Sequence, residues 1–233
     1  MEINDDFIKR LNELHDLYVE SKKAIILLEN YNREQKTFVA PLNEMRNALD
    51  HIMKMVSNKD DREIVYEQYR GARSHIRRAG YDAFELLCIS HTNYIKDTLK
   101  EFLPSDISNG FPQYYAEVKP KIHEIQGKTA EYREKKEKRK LEKEEIIDDA
   151  VVEKDEHAYK YYFEAYECLD SYLKKLDYYI PSIVECKEKR EQDEKRRKDD
   201  AAAKEKKATR HFIYGVIVTI IVGVLGYLAT IIF

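Results

Sequence analysis

Apolar residues near the start of the chain recur in alternating steps of four and three. Phe7, Leu11, Leu14, Tyr18, Ile25 and Leu28 fall on one line, with Ser21 filling the gap, which predicts an amphipathic helix with a narrow buried stripe that ends before Pro41. Pro41 suits the first turn of a second helix. Its stripe is predicted from Leu42, Met45, Leu49, Ile52 and Val56, with Ser57-Asn58 as the stop. A third helix is expected from about Asp60. Ile64 or Val65, Tyr69, Ala72, Ile76, Ala79, Ala83 and Leu87, then Tyr94, Thr98 and Phe102, keep helical spacing, so Gly71 and Gly80 are placed inside one long element that stops before Pro104. The run SDISNGFP that follows reads as the clearest loop of the chain.

Val118, Ile122, Ile125 and Tyr132 resume the period, with Pro120 either kinking that helix or standing in its first turn. The pattern then loses its apolar positions. Residues 131–145 are almost wholly charged, but Glu131 with Lys135 and Glu134 with Lys138 are spaced to support an exposed helical arm. Asp148-Asp149 is a candidate turn. Beyond it Tyr162, Tyr166, Leu169, Leu173, Leu176 and Ile180 take heptad-like steps in a tyrosine-rich helix. Those tyrosines, beside Lys160, Lys174 and Lys175, read as packing residues, and alternatively as a platform for unpaired bases. Pro181 is expected to kink the helix, and a second charged stalk follows.

The last stretch, HFIYGVIVTIIVGVLGYLATIIF, carries no charge after His211. Its residues 212–233, 22 in number, span about 33 Å as a helix, enough for a bilayer core. Lys204, Lys206, Lys207 and Arg210 stand just before it. By the positive-inside tendency they place the preceding chain in the cytoplasm, and their charge suits anionic headgroups. The expected protein is single-pass and tail-anchored, with its C-terminus at or across the far side of the membrane. Gly215, Thr219 and Gly223 repeat every four residues, the small-xxx-small spacing that lets two membrane helices approach.

Composition narrows the remainder. Charged residues make up 36% of the 233, against roughly a quarter in an ordinary domain, and Gly (7) and Pro (5) are scarce. The expected fold class is all-α: an elongated helical bundle with charged helical or coiled-coil arms and one C-terminal transmembrane helix. The 41 basic and 44 acidic residues are interleaved, which argues against a DNA-binding field. Cys88, Cys168 and Cys186 are odd in number and widely spaced, so neither a disulfide framework nor a cysteine metal site is expected. The acidic N-terminal stretch lacks the basic region and apolar run of an export signal. The domain organisation expected is a helical bundle over residues 1–130, a charged arm over 131–145, the Tyr-rich helix over 146–184, a juxtamembrane stalk over 185–211 and the transmembrane helix over 212–233.

Phosphate-loop, dinucleotide, zinc-protease, hydrolase and EF-hand patterns do not occur, so no cofactor, no metal and no small-molecule site is predicted. One constellation carries chemistry. Arg46-Asn47-Ala48-Leu49-Asp50-His51 is an Arg-x4-His with a polar residue after the arginine; Arg10 to His15 and Arg70 to His75 share the spacing but lack that follower. The motif resembles the signature of the HEPN-type helical ribonucleases, a family of all-α bundles. The resemblance implies a metal-independent RNA-cleaving site completed by two protomers. His51 would be the acid or base near a ribose 2′-hydroxyl, Arg46 the phosphate clamp and Asn47 a positioning residue, chemistry that needs only proton transfer and charge stabilisation. The bland reading of the same residues is an i,i+4 pair of Arg46 with Asp50 and a surface histidine. In helical projection His51 lies on the polar side of the second helix, nearly opposite Leu49, Ile52 and Val56.

Two functions follow from these features. The first is a membrane-anchored protein whose cytoplasmic helical domain interacts and self-associates, with the lipid bilayer and a second copy as partners. The alternative is a membrane-tethered HEPN-like endoribonuclease, a toxin or defence effector by analogy, with RNA as its partner.

Overall fold

The computed structural model describes residues 5–31, 38–141 and 148–232. Six α-helices and one π-turn account for nearly all of them, and no strand occurs among the described residues. They are α1 (Asp5–Tyr31), α2 (Val39–Ser57), α3 (Arg62–Leu99), α4 (Pro104–Gly110), the π-turn Tyr114–Val118, α5 (Lys119–Leu141) and α6 (Asp149–Ile232). All-α is the observed class.

The long helix α3 is the axis of the bundle. Asp61 starts it by accepting from the backbone N–H groups of Glu63 and Ile64 at 3.0 and 3.1 Å, two of the donors a helix start leaves unpaired. Helices α1, α2 and α6 cover it on different sides, so it buries residues all round and carries small ones where neighbours come close. At Gly80 a Cβ would lie 2.6 Å from the Tyr159 ring and 2.7 Å from Ser21 Oγ. Gly71 and Gly80 therefore sit inside one uninterrupted helix, as the spacing predicts.

Facing pairs give the directions. Glu20 and Tyr31 of α1 meet Arg77 and His91 of α3, so α1 runs parallel to α3. Glu44 meets His75 and His51 meets Gln68, so α2 runs antiparallel. Asp155, Tyr162 and Asp170 of α6 meet Ser74, Tyr81 and His91, so α6 runs parallel. One apolar cluster joins Phe7, Leu14, Met55, Val65 and Ile76 at one end. A larger one joins Leu28, Phe84, Leu87, Ile107, Phe111, Ile122, Tyr162, Leu169 and Ile183.

Several expectations change. The run read as a loop after Pro104 is helix α4: Pro104 occupies its first turn, Asp106 accepts from the Leu103 N–H, and Ile107 and Phe111 are buried. The charged run is not a free arm, because Arg133 and Lys136 reach Glu85 and Asp82 of α3; the exposed pair Glu131–Lys135 does form, at 2.6 Å. Residues 142–147 of that run lie outside the described residues. Pro181 lies inside α6, which continues on both sides of it as the kinked-helix expectation also requires. The heptad seam of α6 is turned inward on Asp155, Ala158, Tyr162, Ala165, Leu169, Leu176 and Ile183, while Tyr166, Leu173 and Ile180 are half-buried. Ile122 and Tyr162 share one cluster, so the bundle continues across the expected boundary at residue 130. The last concerns α2.

Among the described residues Arg190, at 2.9 Å from the buried Asp106, makes the last ion pair between α6 and the bundle. From residue 191 to 224 every residue is exposed, so α6 leaves the bundle as a single bare helix. Its 84 residues measure about 126 Å.

Candidate functional site

Helix α2 carries two lines of residues in steps of three and four, one position apart. The line facing α3 is Pro41, Glu44, Ala48, His51 and Met55, of which Pro41, Ala48 and Met55 are buried. The line predicted to be buried is instead largely open: Leu42, Leu49 and Val56 are exposed, with Met53 beside them, and Met45 and Ile52 are half-buried. The reason lies on α3. Gly71 offers no side chain, and the His51 imidazole fills the space, so that a Cβ there would come within 2.5 Å of the ring.

His51 is consequently half-buried rather than a surface histidine. Its Nδ1 lies 2.8 Å from Gln68 Oε1, and its ring stacks on His75 with centroids 5.2 Å apart. His75 Nδ1 in turn lies 2.7 Å from Glu44 Oε2. Burial pulls the His51 pKa below its ordinary value; the bond to Gln68 works against this and the neighbouring His75 adds to it. Burial alone would raise the Glu44 carboxyl, but the hydrogen bond and charge of His75 leave it lowered. The result is a chain of polar contacts, Gln68–His51–His75–Glu44, that ties α2 to α3. Sequence reasoning did not find Gln68, Glu44 or the role of Gly71. The shared Arg-x4-His spacing of Arg70 and His75 was the available signal, but it does not reveal a partner on another helix.

Arg46 is placed elsewhere. Five residues from His51, it is about 140° away around the helix axis. It is exposed and lines a groove of about 590 Å³ between α1 and α2, whose walls are Leu11, Leu14, His15, Tyr18, Met45, Ala48, Leu49, Ile52 and Ile76. Asn47 is half-buried. Within one protomer Arg46 and His51 thus open onto different sides of α2.

The second candidate region is the end of α6. Among the described residues this is the one helix long and apolar enough to cross a membrane, and none of its apolar stretch is buried in the protein. Phe212, Ile213, Tyr214, Val218, Ile220 and Val222 are each at least half exposed. At Gly215 and Gly223 a Cβ would meet nothing, and Thr219 Oγ1 donates to the Gly215 carbonyl at 2.9 Å. That bond leaves a smooth face. Lys204, Lys206, Lys207 and Arg210 are exposed just before it.

Among the described residues no group of three or more His, Cys, Asp or Glu could hold a metal ion. Burial raises the Cys88 thiol to about 12, which makes it a poor nucleophile. The chain matches no protein-family model, and no curated protein or solved structure shows significant similarity to it.

Proposed function

We propose that this chain is a membrane-tethered interaction protein whose helical bundle is held off the bilayer on a single helix and self-associates. The carrying observation is the uncovered apolar end of α6, joined to the bundle by a stalk that is exposed at every residue from 191 onward. In water so much uncovered apolar surface has no stable place, and a bilayer supplies one. The basic residues at the membrane end of the stalk favour the cytoplasmic side. Self-association is supported by the open apolar line on α2 and by the Gly215-Thr219-Gly223 face. The test is alkaline extraction of membranes carrying the full chain, followed by mass determination in detergent. Resistance to extraction and a mass above the monomer are expected; release into the supernatant, or a monomer at high concentration, refutes the corresponding half.

The ribonuclease reading needs Arg46 and His51 to converge across two protomers. It is tested by incubating the full chain with RNA in the presence of EDTA beside His51→Ala. Cleavage that depends on His51 would favour it over a purely binding role.

A further inference from the structure

The two lines of α2 differ in chemistry, and the less apolar one is the one that is covered. The line against α3 holds Glu44 and His51, whereas the open line reads Leu42, Met45, Leu49, Ile52 and Val56. Leu42, Leu49, Met53 and Val56 are 45%, 56%, 57% and 44% exposed. Steps of three and four that hold only apolar residues form the seam of a helix pair, in which each side chain enters a gap on the facing helix. A half-used seam of this kind wants a second helix.

We propose that the open seam of α2 is the contact face for a second copy of this chain, with the two α2 helices antiparallel about a two-fold axis near Ala48 and Leu49. This deepens, and rests on, the self-association read above. Three observations single out this occupant. With the neighbouring Tyr18 of α1, 42% exposed, the patch offers on the order of 500 Å² of apolar surface, toward the upper end for a lone monomer and more than half of one partner's share in a standard interface. The groove of about 590 Å³ shares Tyr18, Met45, Leu49 and Ile52 with the patch, extends it toward α1 and takes the flank of a helix laid on α2. The charges are self-complementary. Arg46 and Asp50 lie on one flank of the seam, two residues to either side of Ala48. A two-fold axis between Ala48 and Leu49 brings each Arg46 near the partner's Asp50, twice, and each Leu42 near the partner's Val56. Isologous contacts have this form.

The arrangement has a consequence for the tether. Because α6 lies along α3 and α2 runs antiparallel to both, reversing α2 reverses the stalk as well. The two stalks then point in opposite directions, and the pair joins copies held in two facing membranes. The middle of α2 is level with the start of α6, about 60 residues before Phe212, so each copy reaches about 90 Å and the membranes sit about 180 Å apart.

The test uses the full chain in the Cys168→Ser/Cys186→Ser background, Cys88 being buried. Leu49→Cys, next to the axis, is expected to give a disulfide-linked dimer with copper phenanthroline. Leu42→Cys alone is expected to give no crosslinked dimer and to crosslink when mixed with Val56→Cys. Vesicles carrying the wild-type chain are expected to cluster by light scattering. Leu49→Asp, at a position that is not core, is expected to reduce clustering at least about tenfold, and Arg46→Glu to weaken it and Arg46→Glu/Asp50→Arg to restore it. A dimer in detergent with no crosslink at position 49, or strong self-crosslinking of Leu42→Cys, overturns this interface while leaving self-association standing. A wild-type chain that is monomeric in detergent and never clusters vesicles removes both.

Discussion

Gly110→Ala places one methyl group where α4 meets α6. The added Cβ would lie 2.5 Å from Ile183 Cα and 2.6 Å from its backbone nitrogen, where ordinary contact begins at 3.4 Å. Backbone in a continuous helix cannot swing aside, so α4 must move off by roughly 1 Å, a gap that forfeits a quarter to a half of the dispersion attraction across it. The same shift loosens the Phe111–Tyr179 ring stack, with centroids 4.5 Å apart, and the 2.9 Å pair of Arg190 with buried Asp106. Overpacking of this kind costs about 1–3 kcal/mol. Gly127 is the internal control: it lies within α5 with nothing inside 4 Å of an added Cβ, so Gly127→Ala should stabilise by up to about 1 kcal/mol through helix propensity alone. The assay is urea unfolding of the full chain followed in the tyrosine near-ultraviolet circular dichroism. The chain has 18 tyrosines and no tryptophan, so that signal reports packing in the bundle rather than helicity of the stalk. A Gly110→Ala loss below about 0.5 kcal/mol, or equal effects of the two variants, would refute the reasoning.

Gly71→Ala should fall between these, at about 1–2 kcal/mol, because the obstacle is the His51 ring, which can rotate at the cost of its bond to Gln68; urea midpoints check it. Asp155→Ala removes a carboxylate with no exposed surface and strands the Arg78 guanidinium 2.9 Å away, so a loss of about 3 kcal/mol is expected, with Asp155→Asn milder. His51 and His91 have pKa values lowered by burial, and each therefore binds fewer protons folded than unfolded. Their contribution is present above the unfolded value of about 6.5 and is lost as pH falls. Asp82, pushed up to about 6 by burial, has the opposite sign between about pH 4 and 6. The unfolding midpoint should thus drop from pH 7.5 to 6 and level off below, and His51→Gln/His91→Gln should flatten the upper limb; a limb unchanged in slope would count against these assignments. Gly223→Ile should lower the yield of dimers crosslinked through the membrane helix, and an unchanged yield would make its small-residue face irrelevant.

Local order on this chain was legible from its residues. The steps of α1 from Phe7 to Leu28, the continuity of α3 through Gly71 and Gly80, and the uncharged stretch after His211 are properties of neighbours in sequence, and periodicity reports them directly. The candidate site was legible only as a motif: Arg46, Asn47 and His51 could be named, but not that the arginine opens into a groove while the histidine packs against another helix. Likewise Arg133 and Lys136 read as solvated because their partners, Glu85 and Asp82, are distant in the chain.

The sequence by itself determined that this protein is helical and that one apolar helix follows a charged stalk, because both depend on spacing and composition within a single segment. Only the tertiary structure decided which of the two lines on α2 turns inward. Lines one residue apart satisfy the same steps of three and four, so periodicity defines faces without ranking them. The choice was made by Gly71, Gln68 and His75 on a different helix, which provide room for an imidazole and polar partners for it, and it left the more apolar line of α2 open.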